Sequence, residues 1–263
     1  MNLYPFKLSF DSSPSYKLPW AAEMPLMMDC GPVREIRCVI SSRAAGNMVY
    51  SDEGDTRACF FRSLGLEPEQ VRSCTQVHSR TVLAADDRFS GRPEADGLAS
   101  RDRTIVLAVT VADCLPVFLY DTGSGAWALL HSGWKGTGIV LNALSLLVSW
   151  GARPEAVAAL LGPCIHSCCY QVDETRAAVF EAEFGAGDDN NASPGAYPLG
   201  PVVKRDGGRP ALDLQAANAR LLAGAGVRNI AYCEDCTFTD QRLGSFRREG
   251  SAYTRMLAVM GYF

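Results

Sequence analysis

Three residues in this 263-residue sequence carry most of its chemical interest: His78, Cys114 and His131. The chain has only three histidines, and two belong to this set. Two imidazoles and a thiolate are good ligands for zinc and also for copper. Three protein ligands leave a fourth position for water, the catalytic rather than the structural pattern. The same residues also suit a Cys–His nucleophile, with Cys114 attacking and His78 or His131 acting as base. Spacing alone does not separate these uses. Nor does it separate them from two satisfied strand histidines and a buried thiol.

The elements that must position these groups are legible around them. Residues 106–138 read VLAVTVADCLPVFLYDTGSGAWALLHSGWKGTG. One apolar run breaks at Ala112-Asp113-Cys114-Leu115-Pro116, a second covers 115–120, and a third, 126–130, ends in His131. The thiol and one imidazole therefore sit at the ends of strand-like segments. Residues 104–110 show no alternation, as expected of a strand covered on both faces. His78 lies in 73–84, where Thr75, Val77, Thr81 and Val82 favour a strand. Alternation then puts Gln76 and His78 on one face. On a strand Asp113 would point away from Cys114. A structural hydrogen-bonding role for it is thus as good a reading as orienting a ligand or accepting a proton.

Other groups could bind rather than react. The loop GWKGTG, 133–138, precedes a predicted helix. Its glycines expose backbone N–H groups, the helix start favours anions, and Lys135 adds a charge. That suits a phosphate or a nucleoside hydroxyl. The alternative is a tight strand-to-helix turn, since neither a P-loop nor a dinucleotide fingerprint is present. Arg247 and Arg248 follow Ser245-Phe246; if extended, at most one of them faces any given site. Arg43 is a lone arginine in the polar turn SSRAAGN. The ten cysteines fall short of a disulfide scaffold, and neither Cys164/Cys168 nor Cys233/Cys236 has zinc-ribbon spacing. They read as core or loop thiols in a reducing compartment.

The remainder frames these groups. Apolar content of 48%, charged content of 21% and a net charge of −4 describe a globular chain without a basic footprint for nucleic acid. No apolar run is long enough to span a membrane. The N-terminus lacks the charged-then-apolar order of a signal peptide. A cytoplasmic protein with no nucleic-acid or membrane partner is expected. Residues 1–30 read as an extended arm with room for one short strand. Strands are expected at 33–41 (Ile36, Cys38 and Ile40 on one face), 156–161, 229–233 and 253–263. Helices are expected at 55–66 with Asp55 as N-cap, at 139–150, after Asp173 with Val179, Phe180 and Phe184 as its face, and at 214–225 after Asp213. The stretch 185–200 is a polar loop and the expected mobile part. With no repeat and no linker, one α/β domain spanning 1–263 is the simplest reading.

Several blocks recur in a recognisable order. They are Gln76-Val77-His78, Ala95-Asp96-Gly97, Ala112-Asp113-Cys114-Leu115-Pro116-Val117, His131-Ser132-Gly133-Trp134-Lys135-Gly136, Gly162-Pro163-Cys164-Ile165 with Cys168-Cys169-Tyr170, Asp213-Leu214 with Asn218, Cys236-Thr237, and Ser245-Phe246-Arg247-Arg248-Glu249-Gly250. Together they resemble the bacterial laccase-domain proteins, also called multicopper polyphenol oxidoreductases. Members of that family include purine nucleoside phosphorylases with adenosine deaminase activity. The chain departs from the pattern at Lys135, where arginine is common, and at Ser132, where alanine is common. It also has Phe246 in place of tyrosine and His166 where glycine is frequent.

The resemblance implies a four-layer α/β/β/α sandwich of two packed mixed sheets covered by helices. It implies a metal, zinc or alternatively copper, held by His78, Cys114 and His131 as the catalytic set. Arg43, Gln76, Lys135, Cys164, Arg247 and Arg248 become the expected substrate contacts. The expected activity is phosphorolysis of adenosine- or inosine-type nucleosides and deamination of adenosine, with a purine nucleoside and phosphate as small-molecule partners. One alternative is copper-dependent oxidation of phenols, for which a single His2Cys site is a poor basis for four-electron reduction of oxygen. Another is a cell-wall-linked or partner-binding role for the same pocket. Monomer and homodimer are both open.

Overall fold

The computed structural model describes residues 1–10, 20–50, 56–185 and 200–263. The expected helix cap Asp55 and most of the polar loop 185–200 lie outside the described residues.

The long apolar runs become strands buried on both faces. In Leu115–Asp121, Val117 and Leu119 pack with the helices Ile139–Ser149, Glu174–Phe184 and Leu214–Gly224. Phe118 and Tyr120 point the other way, into a core shared with a second sheet. Trp127–Ser132 repeats the split: Ala128 and Leu130 face the helices, Trp127 and Leu129 the second sheet. Such strands need apolar residues at every position, which is why the sequence shows no alternation there.

The larger sheet has seven strands in the order Asn2–Phe6, Asn229–Cys233, Val157–Leu161, Leu115–Asp121, Trp127–Ser132, Gly97–Ser100 and Val82–Ala84. The second has five: Ala21–Glu23, Arg37–Ser41, Met256–Gly261, Val106–Val111 and Val71–Arg72. Leu107, Val109, Met256, Ala258 and Met260 fill the space between the sheets. The outer face of the second sheet (Val39, Val106, Ala108, Leu257, Val259) packs on the helix Thr56–Ser63 through Phe60 and Phe61. The layers are thus helix, sheet, sheet, helix, as expected.

Several local expectations change. Residues 1–30 are more than an arm: Asn2–Phe6 pairs in parallel with Asn229–Cys233, and Ala21–Glu23 pairs with Arg37–Ser41. On Glu174–Phe184 the buried stripe is Ala177, Phe180 and Phe184, while Val179 is 54% exposed. Positions three and seven residues on from Ala177 share its face, and the second does not. Arg247 and Arg248 lie on a one-turn helix, Phe246–Glu249, rather than an extended segment. Of the stretch 73–84, only Val82–Ala84 is strand, so His78 is not on one.

Candidate metal centre

Strand pairing brings two of the three chemical groups together. Leu115–Asp121 runs antiparallel to Trp127–Ser132 with Pro116 opposite His131, so Cys114, just before the first strand, ends up beside that imidazole. His78 arrives by a different device, the buried carboxylate of Asp96. Oδ1 of Asp96 accepts the backbone N–H of His78 at 3.0 Å and Nδ1–H of His131 at 2.8 Å. Oδ2 accepts the backbone N–H of Val77 at 3.1 Å, that of Ser79 at 2.6 Å and the Ser79 hydroxyl at 2.9 Å. Three consecutive N–H groups turned onto one carboxylate cannot also serve a strand ladder, which is why the expected strand fails here. His78 adopts a left-handed φ of 59°, a conformation that costs a non-glycine residue about 1–2 kcal/mol and persists only where its surroundings hold it.

The ligand atoms of His78, Cys114 and His131 lie within 4.8 Å of one another. The two imidazole centroids are 4.9 Å apart with their planes at 72°. His78 is exposed, Cys114 half-buried and His131 buried, so the cluster opens to solvent on one side. Burial opposes charge on both Cys114 and His131, but their mutual attraction wins. The thiol is brought down by the two imidazoles, and His131 is raised by Cys114 and Asp96. Burial pushes the Asp96 carboxyl up, yet the bonds from His131 and Ser79 outweigh it and hold it at about 2. With Nδ1 of His131 committed to Asp96, Nε2 is the nitrogen left for a ligand. A carboxylate behind a ligating imidazole fixes its tautomer and raises its basicity. The donor set therefore fits a divalent ion of the zinc or copper type.

Gly133 leaves room for the cluster. A Cβ there would stand 2.9 Å from Sγ of Cys114 and 3.3 Å from Cδ2 of His78. Gly133→Ala is expected to weaken metal retention at least about tenfold by displacing two ligands, as even loss of outer supports does at such sites. Metal content after dialysis against graded chelator is the check, and wild-type retention would refute the role given to this glycine.

Asp113, which also has a positive φ of 83°, is a clamp. Its carboxylate accepts the Thr237 hydroxyl at 2.6 Å and the Arg247 N–H at 2.7 Å, and its carbonyl accepts the Ile165 N–H at 2.9 Å. Two later segments are thereby docked beside Cys114.

The expected substrate contacts fall in different places. Gln76 uses its amide on Thr110: Nε2 donates to the carbonyl at 2.8 Å, while Oε1 accepts from the N–H and the hydroxyl, each at 2.8 Å. Cys164 is 1% exposed and belongs to the core between sheet and helices. Arg43 bonds the Gln241 carbonyl at 3.2 Å and lies 3.7 Å from Glu249. Lys135 is exposed, its Nζ 5.6 Å from the Trp134 ring centroid. Arg247 is exposed, donates to the Gln171 carbonyl at 3.0 Å and lies over the Tyr170 ring. Two further residues, Tyr170 and Arg176, make ring contacts with Arg247 and Trp134 respectively. Burial first, and then the Cys114 charge, raise the Tyr170 phenol above its ordinary value. Arg176 stacks 4.7 Å from the Trp134 ring centroid.

Arg248 is consumed by the fold. Nη1 donates to the carbonyls of Thr237, Phe238 and Asp240 at 2.6, 2.9 and 3.2 Å; Nη2 bonds Leu243 O and, at 2.6 Å, Glu249 Oε1. Arg248→Met is expected to destabilise the protein by about 2–4 kcal/mol, because charged hydrogen bonds are lost and their acceptors stranded. Burial pushes Glu249 and Asp240 up, but the Thr254 N–H with Arg248, and Arg242 with Arg248, hold them low. With folded values depressed, the stability these carboxylates lend is complete above the ordinary carboxylate range and is lost as pH falls through it. Urea denaturation at neutral pH and at about pH 3 should show the wild type losing part of its advantage over Arg248→Met in acid. An unchanged midpoint at neutral pH would overturn this account.

Comparisons with known proteins give a consistent picture. A family model described as multi-copper polyphenol oxidoreductase laccase matches residues 53–262. A purine nucleoside phosphorylase of Corynebacterium glutamicum is 33% identical over 193 residues, 72% of this chain and 73% of that one. A purine nucleoside phosphorylase of Deinococcus radiodurans is 35% identical over 209 residues, 79% and 76% of the two chains. The crystal structure of YlmD from Geobacillus stearothermophilus superposes with a TM-score of 0.75 at 25% identity, covering 87% of this chain and 92% of its own. The YfiH protein of Bacillus licheniformis, at 22% identity and a TM-score of 0.75 over 97% and 99%, shows the same fold.

Proposed function

The chain belongs to the multi-copper polyphenol oxidoreductase laccase family, and from that premise we propose that it is a zinc-dependent purine nucleoside enzyme. It cleaves adenosine- and inosine-type nucleosides with phosphate and deaminates adenosine. The observation that carries the reading is the convergence of His78, Cys114 and His131 in front of the buried Asp96. The relatives named purine nucleoside phosphorylase support the substrate class. Zinc held by these three residues would supply Lewis acidity and lower the pKa of water toward neutrality.

The chain's own residues position the reactants. Asp96 keeps His131 oriented through Nδ1 and sets the His78 backbone. Arg247, exposed and anchored by one nitrogen to the Gln171 carbonyl, offers a charge for the phosphate. Lys135, also exposed, offers a second. In phosphorolysis a phosphate oxygen bonds to the ribose C1′ as the C1′–N9 bond breaks, and the base leaves with a proton. In deamination water adds at C6 of adenosine and ammonia leaves. Burial keeps the Tyr170 phenol protonated at neutral pH, and in this reading it is available as an O–H donor to the substrate. Positioning and charge stabilisation supply most of the rate in such a site.

The test incubates pure protein with adenosine, with and without phosphate, and resolves the products. Adenine with ribose 1-phosphate should require phosphate, whereas inosine should form without it. Both should vanish on chelation and return with zinc. Unchanged adenosine with zinc bound overturns the reading.

The family description favours one other reading, copper-dependent phenol oxidation, since imidazole and thiolate also accept copper. Among the described residues the remaining metal-ligating group contains no histidine, whereas copper oxidases are built on several imidazoles. Phenol oxidation by copper-loaded but not zinc-loaded protein would support that reading.

A further inference from the structure

Cys168, Cys169 and Cys236 form a second cluster, remote in sequence from the first. Their sulfurs all lie within 4.8 Å of one another, with Sγ of Cys168 and Cys169 3.5 Å apart. We propose that these three thiolates bind one Cu(I) ion in a site separate from the His78–Cys114–His131 centre.

The geometry of the trio fits such an ion. Sulfurs about 2.3 Å from a central metal stand about 4.0 Å apart at the corners of a triangle, between the 3.5 Å separation of Cys168 and Cys169 and the 4.8 Å within which all three lie. A separation of 3.5 Å is too long for a disulfide, so the sulfurs are in contact without being bonded. The backbone holds them in place. Cys169 N–H and Tyr170 N–H both donate to the His166 carbonyl at 2.9 Å, which closes the turn carrying Cys168 and Cys169. Thr237 N–H donates to the Cys164 carbonyl at 3.0 Å, and Cys164 and Cys236 form a parallel bridge. The turn is thereby fastened beside Cys236. The backbone N–H of His166 points at Sγ of Cys236 at 3.4 Å, a donor suited to a thiolate.

The donor set chooses the metal. All three ligands are soft sulfurs, and among the described residues no carboxylate or imidazole joins the group. Soft thiolates suit both zinc and Cu(I), but zinc in a structural site closes its shell with four ligands, so a set of three sulfurs favours Cu(I). Cys236 is buried, Cys169 half-buried and Cys168 exposed, which gives the ion a path from solvent. Binding replaces the thiol protons of the ligands with one cation and involves no change of oxidation state.

The site also touches the first centre mechanically. Asp113, next to Cys114, holds both Ile165 and Thr237, and Tyr170 directly follows Cys169. An ion there would staple the turn that carries Tyr170.

The experiment uses the full-length Cys114→Ala variant, which lacks the thiolate of the first centre. The variant is reduced, titrated anaerobically with Cu(I) against a colorimetric Cu(I) chelator, and examined by X-ray absorption. The expected result is one bound equivalent with three sulfurs in the metal's shell. Adding Cys168→Ser or Cys169→Ser should weaken retention at least about tenfold by removing a soft ligand. Both positions are at least partly exposed, so these variants stay informative if Cys236→Ser fails to fold. Copper retained equally by the serine variants, a shell with fewer than three sulfurs, or no retained copper would overturn the proposal. So would zinc displacing Cu(I) at equal concentration.

Discussion

Asp96→Asn is expected to empty the metal centre and destabilise the protein together. Each carboxylate oxygen accepts at least two hydrogen bonds: Oδ1 from His78 N–H and His131 Nδ1–H, Oδ2 from two backbone N–H groups and the Ser79 hydroxyl. An amide can place its NH2 on either side, and on either side it faces donors. Two or more buried donors then lose their acceptor, at roughly 1–3 kcal/mol each. Turned one way the amide no longer accepts from His78 N–H and His131 Nδ1–H; turned the other way it no longer accepts from the Val77 and Ser79 N–H groups, so either way the turn that holds His78 at its positive φ is weakened. Metal affinity should fall by about 10–100-fold, as it does when outer partners of ligating histidines are removed. Equilibrium denaturation of the metal-free variant gives the first quantity and competition with a chelator the second. Wild-type zinc affinity in a destabilised Asp96→Asn protein would refute the claim that this carboxylate builds the site rather than merely supporting the fold.

Cys114→Ala should lower nucleoside turnover by about 1000-fold or more, because the site loses its only anionic ligand and with it the Lewis acid. The informative companion is Cys114→Asp, which restores an anionic ligand but offers no thiolate nucleophile. If Cys114 is a ligand, the aspartate variant binds zinc and recovers measurable turnover, while the alanine variant does neither. If Cys114 attacks substrate, the aspartate variant is dead with zinc bound. Metal content and product analysis on the same preparations separate the two. The lowered thiol of Cys114 serves either role, since both need the thiolate near neutral pH. Only the aspartate variant divides them.

Much of the fold is legible in the chain because it depends on local periodicity. The unbroken apolar runs at 106–111 and 115–120 announce strands covered on both faces, and the structure supplies helices on one side and a second sheet on the other. Asp173 and Asp213 read as helix caps and act as such, accepting Arg176 N–H and Ala216 N–H at 2.8 and 2.9 Å. The donor types of the candidate metal centre are readable too, since two imidazoles and a thiol suggest a metal, although spacing alone left a Cys–His nucleophile and plain buried residues equally open.

What the chain alone did not disclose depends on contacts between residues distant in sequence. His78 looked like a strand residue because Thr75, Val77, Thr81 and Val82 favour strands. The carboxylate of Asp96, 18 residues further on, takes the N–H groups a strand would have used and holds His78 in a turn. Arg248 and Gln76 looked like binding groups, yet backbone carbonyls and Thr110 satisfy them. Cys236 looked like half of a pair with Cys233, and the fold sets it against Cys168 and Cys169 instead. By itself the sequence determined the main strand and helix runs and the helix caps, and it offered the candidate metal donors, while the layered architecture came from the family resemblance. Only the tertiary structure decided which donors meet and which polar groups remain available, because that depends on where buried hydrogen bonds are satisfied across the chain.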